Sequence, residues 1–267
     1  MNSDYNGLLL DIDERGVATV TLNRPQIHNA FDAELISALS EVFQLLAQNH
    51  QVRVVILAAV GKSFSAGADL NWMQAMVQYD YQQNLADAQA LAKMLSHLNQ
   101  LNKPTIARVQ GAAFGGAIGL IACCDIAIAS KLSKFCLSEV KIGLIPATIS
   151  PYVIDAIGAR AARRYFCTAE VFSARRARRL GLLSEAVNEE ELDSTIEDLV
   201  EHILRNSPQA VSAAKQLIFN VQNRVIEAPL IDMTCQEIAS IRVSAEGQEG
   251  LQAFLQKRPP RWIETKL

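Results

Sequence analysis

Apolar residues follow two kinds of pattern along the chain. In the first half, short runs of mostly apolar residues are separated by polar stretches, which is typical of strands in a sheet covered on both faces. The tripeptide Glu-Arg-Gly at 14–16, between the first two runs, is a hairpin signal. The predicted strands are 8–13, 17–22, 52–59, 105–109 and 126–129, with 134–138 as a further candidate.

Between these strands, apolar residues recur at helical spacing. Asp32 is placed to cap a first helix. The apolar face of this helix consists of Leu35, Ile36, Leu39, Val42, Phe43 and Leu46. A more polar helix is predicted over 85–101, and a glycine-rich turn leads into an apolar helix that ends near 124. The alternation predicts an α/β fold with a mainly parallel sheet and crossover helices.

Strand patterns become rare after about residue 147, and helices take their place. They are predicted over 149–157, 159–167, a segment capped by Ser173, 189–205, 210–225, and two further stretches before 257. The chain is therefore predicted to divide into an α/β core, residues 1–195, and a helical C-terminal subdomain, residues 196–267.

Composition narrows the class of protein. Half of the 267 residues are apolar, so disorder is excluded, and 25 Lys and Arg against 28 Asp and Glu give no basic surplus for nucleic acid. The most apolar stretch, 112–124, ends at Asp125 and is shorter than the roughly 18 residues of a membrane-spanning helix. The five cysteines form no C-x-x-C pair, and the N-terminus has no targeting pattern; both indicate a cytoplasmic protein.

The four histidines, at positions 28, 50, 97 and 202, form no cluster of metal ligands, so no metal is expected. Arginines are concentrated on two predicted helical faces. They are Arg160, Arg163 and Arg164 on one, and Arg175, Arg178 and Arg179 on the other, with Arg176 close by. A solvated face or a subunit contact is expected there, because no RNA-binding module accompanies them.

Two loops carry the candidate chemistry. FSAGADL (64–70) follows one predicted strand, and GAAFGGAIG (111–119) follows the next. Small residues and glycines at strand-to-helix turns leave backbone N–H groups free, and two such groups converging on one oxygen form an oxyanion hole. Taken singly, either loop is better explained by tight packing of a helix on a strand.

Together with their surroundings, these loops resemble the crotonase (enoyl-CoA hydratase/isomerase) superfamily over nearly the whole chain. The matching segments are LNRPQIHNAF (22–31), GKSFSAGADLNWM (61–73), VQGAAFGGAIGLIACCDIAIAS (109–130), FCLSEVKIGLIPA (135–147), the A-x-x-x-G-L segment through Gly181, and FLQKRPPRW (254–262). The resemblance implies a crotonase-like spiral core of ββα units, an acyl-CoA thioester as substrate, and no cofactor beyond the coenzyme A of that substrate.

The resemblance also implies roles for individual residues. The N–H groups of Ala68 and Gly116 would polarise the thioester carbonyl, and Glu139 would be the general acid/base. Residues implied to bind substrate are Arg24 near the phosphates, Ala66, Gly67, Asp69 and Leu70 along the acyl-CoA site, and Phe254 and Lys257, which would reach coenzyme A from the helical part that also forms a homotrimer or a dimer of trimers.

One position departs from the family pattern. Typical enoyl-CoA hydratases carry a second glutamate where this chain has Gly119. Because Gly119 lies one helical turn beyond Gly116, its missing side chain is predicted to leave room at the acyl end of the pocket. The segments around it look most like the bacterial branch that hydrates methylglutaconyl-CoA, or its relative acting on carboxygeranoyl-CoA.

The function expected from the sequence is hydration of an enoyl-CoA, with a branched or carboxylated acyl group. Isomerases and racemase-like enzymes share the same loops, and a non-catalytic acyl-CoA-binding homologue would also retain them, so these alternatives stay open.

Overall fold

The structure is a computed structural model that describes residues 3–263. Within this range the strands are β1 Ser3–Tyr5, β2 Leu8–Ile12, β3 Val17–Leu22, β4 Val54–Ala59, β5 Thr105–Val109, β6 Ala112–Phe114, β7 Ile126–Ser130, β8 Lys134–Cys136, β9 Phe172–Ser173 and β10 Glu185–Val187. They form a seven-stranded sheet in the order β1-β2-β3-β4-β5-β7-β10 and a small sheet in the order β6-β8-β9.

The large sheet is antiparallel at one edge and parallel elsewhere. β2 pairs with both β1 and β3 in hairpins, whereas β3, β4, β5, β7 and β10 run parallel. The register places Val17 opposite Val54 and Ile106 opposite Ile126. This pairing confirms the predicted hairpin and the predicted mainly parallel sheet. Parallel neighbouring strands require crossover connections, and the sequence pattern indicated helices in those places.

The helices are α1 Ala33–Gln48, α2 Leu70–Met76, α3 Tyr81–Asn99, α4 Gly116–Cys123, α5 Ser150–Thr168, α6 Ala174–Leu180, α7 Leu192–Leu204, α8 Pro208–Val221, α9 Ala228–Val243 and α10 Ala245–Leu255. As predicted, Asp32 caps α1, its Oδ1 accepting the Leu35 N–H at 2.8 Å, and Ser173 caps α6. No described helix is both long enough and apolar enough to cross a membrane.

Two apolar clusters cover the two faces of the parallel strands. The larger one joins α1, α3 and α4 to one face, where Leu39, Phe43 and Leu95 are fully buried. The smaller one lies under α7 on the other face. It consists of Val17, Val54, Ile106, Ile128, Leu192, Ile196 and Val200. Burial on both faces explains why these strands are continuously apolar in sequence.

The predicted boundary between residues 195 and 196 falls inside α7. Ile196 and Val200 of this helix pack on the sheet, whereas α8, α9 and α10 contact one another. The division of the chain at 195 stays a prediction. The break predicted between residues 157 and 159 is confirmed: Gly158 has φ 75° and ψ 152°, which separates α5 into two helical segments. α2 and the short strands β1, β6, β9 and β10 were not predicted.

Candidate active site

The loop that follows β4 is held in place by two short parallel bridges. Phe31 pairs with Ala68, and Ser65 pairs with Ala113 of β6. The Phe31 N–H donates to the Gly67 carbonyl oxygen at 2.7 Å, and the Ser65 N–H donates to the Ala112 carbonyl oxygen at 3.1 Å. Backbone hydrogen bonds on both sides therefore fix the loop between the segment before α1 and the turn into α4.

Two backbone N–H groups at this place have no acceptor among the described residues. One belongs to Ala68, and the other to Gly116, the first residue of α4, where the helix itself provides no acceptor. The preceding Gly115 has φ 55° and ψ −125°, and its N–H donates to the Cys136 carbonyl oxygen at 2.9 Å. This bond anchors the turn to β8 and leaves the Gly116 N–H free.

The two glycine turns and Glu139 approach each other closely. A Cβ atom built on Gly115 would lie 3.3 Å from Oε1 of Glu139 and 4.0 Å from Cα of Gly67. Gly67 itself has φ 95°, and a Cβ there would lie 3.2 Å from the Phe114 carbonyl oxygen. Both positions need glycine for its backbone conformation as well as for space. The structure thus brings together the loops of Ala68 and Gly116 with the Glu139 carboxylate.

Glu139 begins a short 3-10 helix, Glu139–Ile142, directly after β8. Its carbonyl oxygen accepts the Leu144 N–H at 3.1 Å, which turns the chain back at this point. The side-chain oxygen Oε2 is buried and has no hydrogen-bond partner within the described part of the chain. A buried carboxylate oxygen without a partner is costly in a protein interior and is a feature expected of a functional group.

Burial raises the pKa of Glu139 above its usual value, and a backbone hydrogen bond partly opposes this shift. Removal from water disfavours the charged carboxylate, so the group binds a proton more readily than an exposed glutamate. A carboxyl group whose pKa is raised toward neutrality is suited to both accept and return a proton. An oxygen atom bound by the N–H groups of Ala68 and Gly116 would lie beside the Glu139 carboxyl group. Enolate chemistry needs this arrangement of two donors and one acid/base group.

The other residues of the FSAGADL loop surround this centre. The Ala66 N–H donates to the His28 carbonyl oxygen at 2.9 Å. Asp69 caps α2, its Oδ1 accepting the N–H groups of Asn71 and Trp72. Leu70, the first residue of α2, is 80% exposed. The exposed Leu70 side chain and the exposed Ala66 leave an apolar surface beside Ala68, but direct contact of these residues with substrate stays a prediction.

Arg24 lies in the segment before α1, and its guanidinium is paired with Asp32. Nη1 of Arg24 is 2.5 Å from Oδ2 of Asp32 and 3.4 Å from the Ala30 carbonyl oxygen. Its aliphatic part covers Gly7, where a Cβ would lie 2.7 Å from Cδ of Arg24. Arg24 is thus anchored by Asp32 and the Ala30 carbonyl oxygen, and its contact with a phosphate stays a prediction.

Phe254 lies in the last turn of α10, and Lys257 lies two residues beyond the end of this helix. The Phe254 side chain is 83% exposed, and Lys257 has a left-handed backbone with φ 54°. Within residues 3–263, no hydrogen bond or ion pair joins either residue to the loops that carry Ala68, Gly116 and Glu139. The part played by these two residues in binding coenzyme A stays a prediction.

The space predicted at Gly119 is absent, which corrects the prediction made from the sequence. A Cβ atom on Gly119 would lie 2.3 Å from Cγ2 and 2.8 Å from Cβ of Ile149. Ile149 is buried at 2% exposure, immediately before α5. The volume that a side chain at 119 would occupy is filled by Ile149, so this glycine provides close packing and no room for an acyl group.

The sequence pattern did not identify two neighbours of the centre. The ring of Phe31 lies 3.5 Å from the Cβ position of Gly116, and Ile149 closes the α4 surface one turn further on. Phe31 belongs to the segment 22–31, which is one of those that resemble the family. The resemblance could therefore have identified Phe31 as a neighbour of the site. The described residues contain no group of three or more His, Cys, Asp or Glu side chains suited to hold a metal ion.

The parallel-rich sheet, the two glycine turns and the Glu139 carboxylate beside them define a crotonase-fold protein, which confirms the predicted fold class. Residues 13–265 match the family model for enoyl-CoA hydratase/isomerase, and the chain belongs to this family. It therefore has the enzyme function of that family and an acyl-CoA substrate.

Individual relatives agree with this assignment. The chain is 49% identical to an enoyl-CoA hydratase from Shewanella pealeana whose crystal structure covers 97% of each chain with a TM-score of 0.94. It is 31% identical to the 2,3-dehydroadipyl-CoA hydratase of Escherichia coli, over 92% of this chain and 95% of that protein. It is also 31% identical to the mitochondrial enoyl-CoA hydratase domain-containing protein 3 of Danio rerio, over 99% and 91%.

Proposed function

We propose that the protein is a hydratase that adds water across the α,β-double bond of an enoyl-CoA thioester, with Glu139 as its single acid/base group. The observation that carries this proposal is the position of the Glu139 carboxylate. One of its oxygens is 3.3 Å from the Cβ position of Gly115, beside the free Gly116 N–H, and the other is buried without a partner. An unpartnered carboxylate oxygen at that position is available to take a proton from a water molecule or from the substrate.

The proposed reaction proceeds in two proton transfers. The Glu139 carboxylate takes a proton from a water molecule while the water oxygen bonds to the β-carbon of the substrate. The electron pair of the double bond then moves toward the thioester, and the resulting enolate oxygen is stabilised by the N–H groups of Ala68 and Gly116. The protonated Glu139 finally returns its proton to the α-carbon, so that one water is added and the carboxylate is regenerated.

A hydration assay tests this proposal directly. Loss of the enoyl thioester absorbance is followed for crotonyl-CoA and for branched and carboxylated enoyl-CoA thioesters, and the 3-hydroxyacyl product is identified by mass. Hydration that depends on Glu139 is expected. Tight binding of all thioesters without any turnover would show instead that the chain is a non-catalytic acyl-CoA-binding protein.

The proposed acyl group is branched or carboxylated, with methylglutaconyl-CoA and carboxygeranoyl-CoA as candidates. Support comes from the segments SFSAGADLNWM and SEVKIGLIPATISPYV, which resemble that branch of the family. The name of the Escherichia coli relative, 2,3-dehydroadipyl-CoA hydratase, specifies a dicarboxylic acyl group. Because Ile149 fills the space at Gly119, selectivity for a bulky acyl group would have to arise elsewhere along the site, for example at the exposed Leu70.

Isomerisation is the second candidate, and the contact between Gly119 and Ile149 favours it. Ile149 fills the place of the second glutamate with an apolar side chain. Moving a double bond requires one base that takes a proton from one carbon and returns it to another, so Glu139 alone suffices and no water is consumed. A 3-enoyl-CoA converted to the 2-enoyl-CoA faster than the 2-enoyl-CoA is hydrated would establish this activity.

The proposed assembly is a homotrimer or a dimer of trimers built through the C-terminal helices. Exposed apolar side chains on α8, α9, α10 and the segment between α8 and α9 support it, since a monomer rarely leaves so many uncovered. They are Ile218, Val225, Ile226, Ile231, Ile238, Val243, Leu251, Phe254 and Leu255. In such an assembly Phe254 and Lys257 would reach the coenzyme A bound by a neighbouring subunit.

A further inference from the structure

A second depression, separate from the glycine turns, lies between α5 and α6. Its volume is about 710 Å³, and four of its seven lining residues are arginines. These arginines are Arg160, Arg163, Arg164 and Arg176, and the apolar lining is Ile157, Ala161 and Leu180. We refer to it as the arginine cavity. The break at Gly158, where φ is positive, redirects the second segment of α5, which carries Arg160 and, one turn further on, Arg163 and Arg164.

Two of the four guanidinium groups are already engaged. Nε of Arg164 donates to Oε1 of Glu170 at 2.6 Å and its Nη2 donates to Oε2 at 3.0 Å. Nε of Arg176 donates to the hydroxyl oxygen of the buried Tyr165 at 3.0 Å. These bonds hold both side chains in place, and they leave further N–H groups of Arg176 without a protein acceptor.

The other two guanidinium groups have no partner in the described part of the chain. Neither Arg160 nor Arg163 forms a hydrogen bond or an ion pair, and both side chains are exposed. The cavity therefore carries four positive charges against the single carboxylate of Glu170, in a chain whose net charge is −3. Like charges around one depression repel each other unless an anion compensates them.

We propose that the arginine cavity binds a small organic anion that carries two or more phosphoryl groups. Planar guanidinium groups form paired hydrogen bonds to phosphate oxygens, and two unpaired arginines beside two anchored ones provide donors for more than one phosphoryl group. The apolar floor of Ile157, Ala161 and Leu180 suits the organic part of such a ligand. The volume is in the range of about 300–1,000 Å³ that is usual for small-molecule sites.

A nucleic acid or a second copy of the chain fits these observations less well. A strand of RNA needs a basic track with stacking side chains, whereas the lining of this depression other than the arginines is aliphatic. A two-fold contact between copies of the chain would bring the arginines of both cavities together, and like charges placed opposite each other oppose association.

The test is calorimetric titration with inorganic pyrophosphate and, in parallel, with ADP. The variant that removes the site is Arg160→Gln combined with Arg163→Gln. The matched control is Arg178→Gln combined with Arg179→Gln, because it removes the same charge from exposed arginines of α6 that do not line the cavity. Saturable binding to the arginine cavity is expected, weakened about tenfold or more in the first variant and unchanged within about twofold in the control.

The proposal is overturned by equal weakening in both variants, which would indicate diffuse attraction, or by the absence of saturable binding. It is also overturned if Arg160→Gln with Arg163→Gln changes the molecular mass in sedimentation, or if an RNA oligonucleotide binds the parent protein and pyrophosphate does not displace it. Turnover of enoyl-CoA is recorded for both variants. It is expected to stay unchanged, so failure at this cavity is distinguishable from failure of the proposed catalytic reaction.

Discussion

The side chain of Ile149 occupies the space in which a side chain at position 119 would have to lie. The Cβ position of Gly119 is 2.3 Å from Cγ2 of Ile149, and Leu95 is 3.5 Å away on the other side. The contact joins α4, which begins at the Gly116 N–H, to the end of the segment that begins with Glu139. This contact in the core therefore connects the helix that begins with Gly116 to the segment that begins with Glu139.

Replacing Gly119 with Ala is expected to destabilise the protein. In an open helix this change would be favourable by about 1 kcal/mol. Here the added methyl group overlaps with Ile149, and overpacking of this kind costs about 1–3 kcal/mol. Chemical denaturation of Gly119→Ala measures the net change in unfolding free energy. Gly119→Glu is expected to be more destabilised still and not to raise the rate of hydration.

A double-mutant cycle identifies the cause. Ile149→Ala alone should cost about 2–5 kcal/mol by leaving a cavity. Combined with Gly119→Ala it should cost less than the sum of the two single changes, because the overlapping Cγ2 atom is gone. Additive losses would show that the two residues do not compete for the same space.

Much of this architecture follows from local patterns in the sequence. The strands β2 to β5 and the helix α1 were predicted within about two residues, because apolar runs and the Asp32 cap are local signals. The two glycine turns were also predicted, since the resemblance rests on them. The short strands β6 and β9 were missed, because two or three residues held by partners far along the chain carry no periodicity of their own.

The error at Gly119 has a similar origin. Helical spacing placed the residue correctly one turn beyond Gly116, but the residue that fills the space, Ile149, is 30 positions away in sequence. Only the folded chain shows that the two meet. The burial of Glu139 and its unpartnered oxygen were equally beyond the sequence, since both depend on the turn at Gly115 packing against β8.

Glu139→Gln is expected to lower turnover at least about 100-fold, because the amide keeps the shape of the side chain but cannot transfer the proton. The affinity for a non-reactive acyl-CoA should change little. Steady-state kinetics and a binding titration measure the two effects. The control is Glu190→Gln, which alters an exposed glutamate in the short 3-10 helix Glu189–Glu191 and should leave turnover unchanged. Normal turnover in Glu139→Gln would exclude this residue from catalysis.

The raised pKa of Glu139 predicts a particular pH dependence of activity. As a base the carboxylate must be ionised, so kcat/KM should fall as the pH drops through a value above the 4.5 of an ordinary glutamate. The same limb should be absent from the residual activity of Glu139→Gln. An acid limb at or below the ordinary glutamate value would contradict the effect of burial on this group.

The contribution of Glu139 to the stability of the folded protein should depend on pH in the opposite sense to the activity. Because folding raises the pKa of Glu139, the folded state binds the proton more tightly than the unfolded state. The contribution of this group to stability is thus greatest below the unfolded pKa and is lost as the pH rises through the folded pKa. At pH 7, Glu139→Gln should be at least as stable as the parent in thermal unfolding, and this advantage should shrink toward pH 4.

Two substitutions at Gly116 separate its N–H group from its lack of a side chain. Gly116→Pro removes the donor, and proline is tolerated at the first position of a helix such as α4. Activity should fall by about 100-fold or more while the protein still melts as the parent does. Gly116→Ala keeps the donor, and its Cβ meets the Phe31 ring at an ordinary 3.5 Å. It should retain most of the activity, and equal losses in both variants would argue against the N–H group.

The C-terminal helices provide the last prediction, which concerns assembly. Phe254 is 83% and Leu255 is 77% exposed, so changing both to Ser removes apolar surface without opening a cavity in the chain itself. If subunits pack through these side chains, the double variant should sediment as a smaller species, whereas Leu132→Ser, at a residue 70% exposed between β7 and β8, should not alter the mass. Phe254→Ser alone should raise the KM for acyl-CoA more than it lowers kcat if Phe254 covers coenzyme A across the interface. If both the mass and the KM are unchanged, α10 takes part neither in subunit assembly nor in binding of coenzyme A.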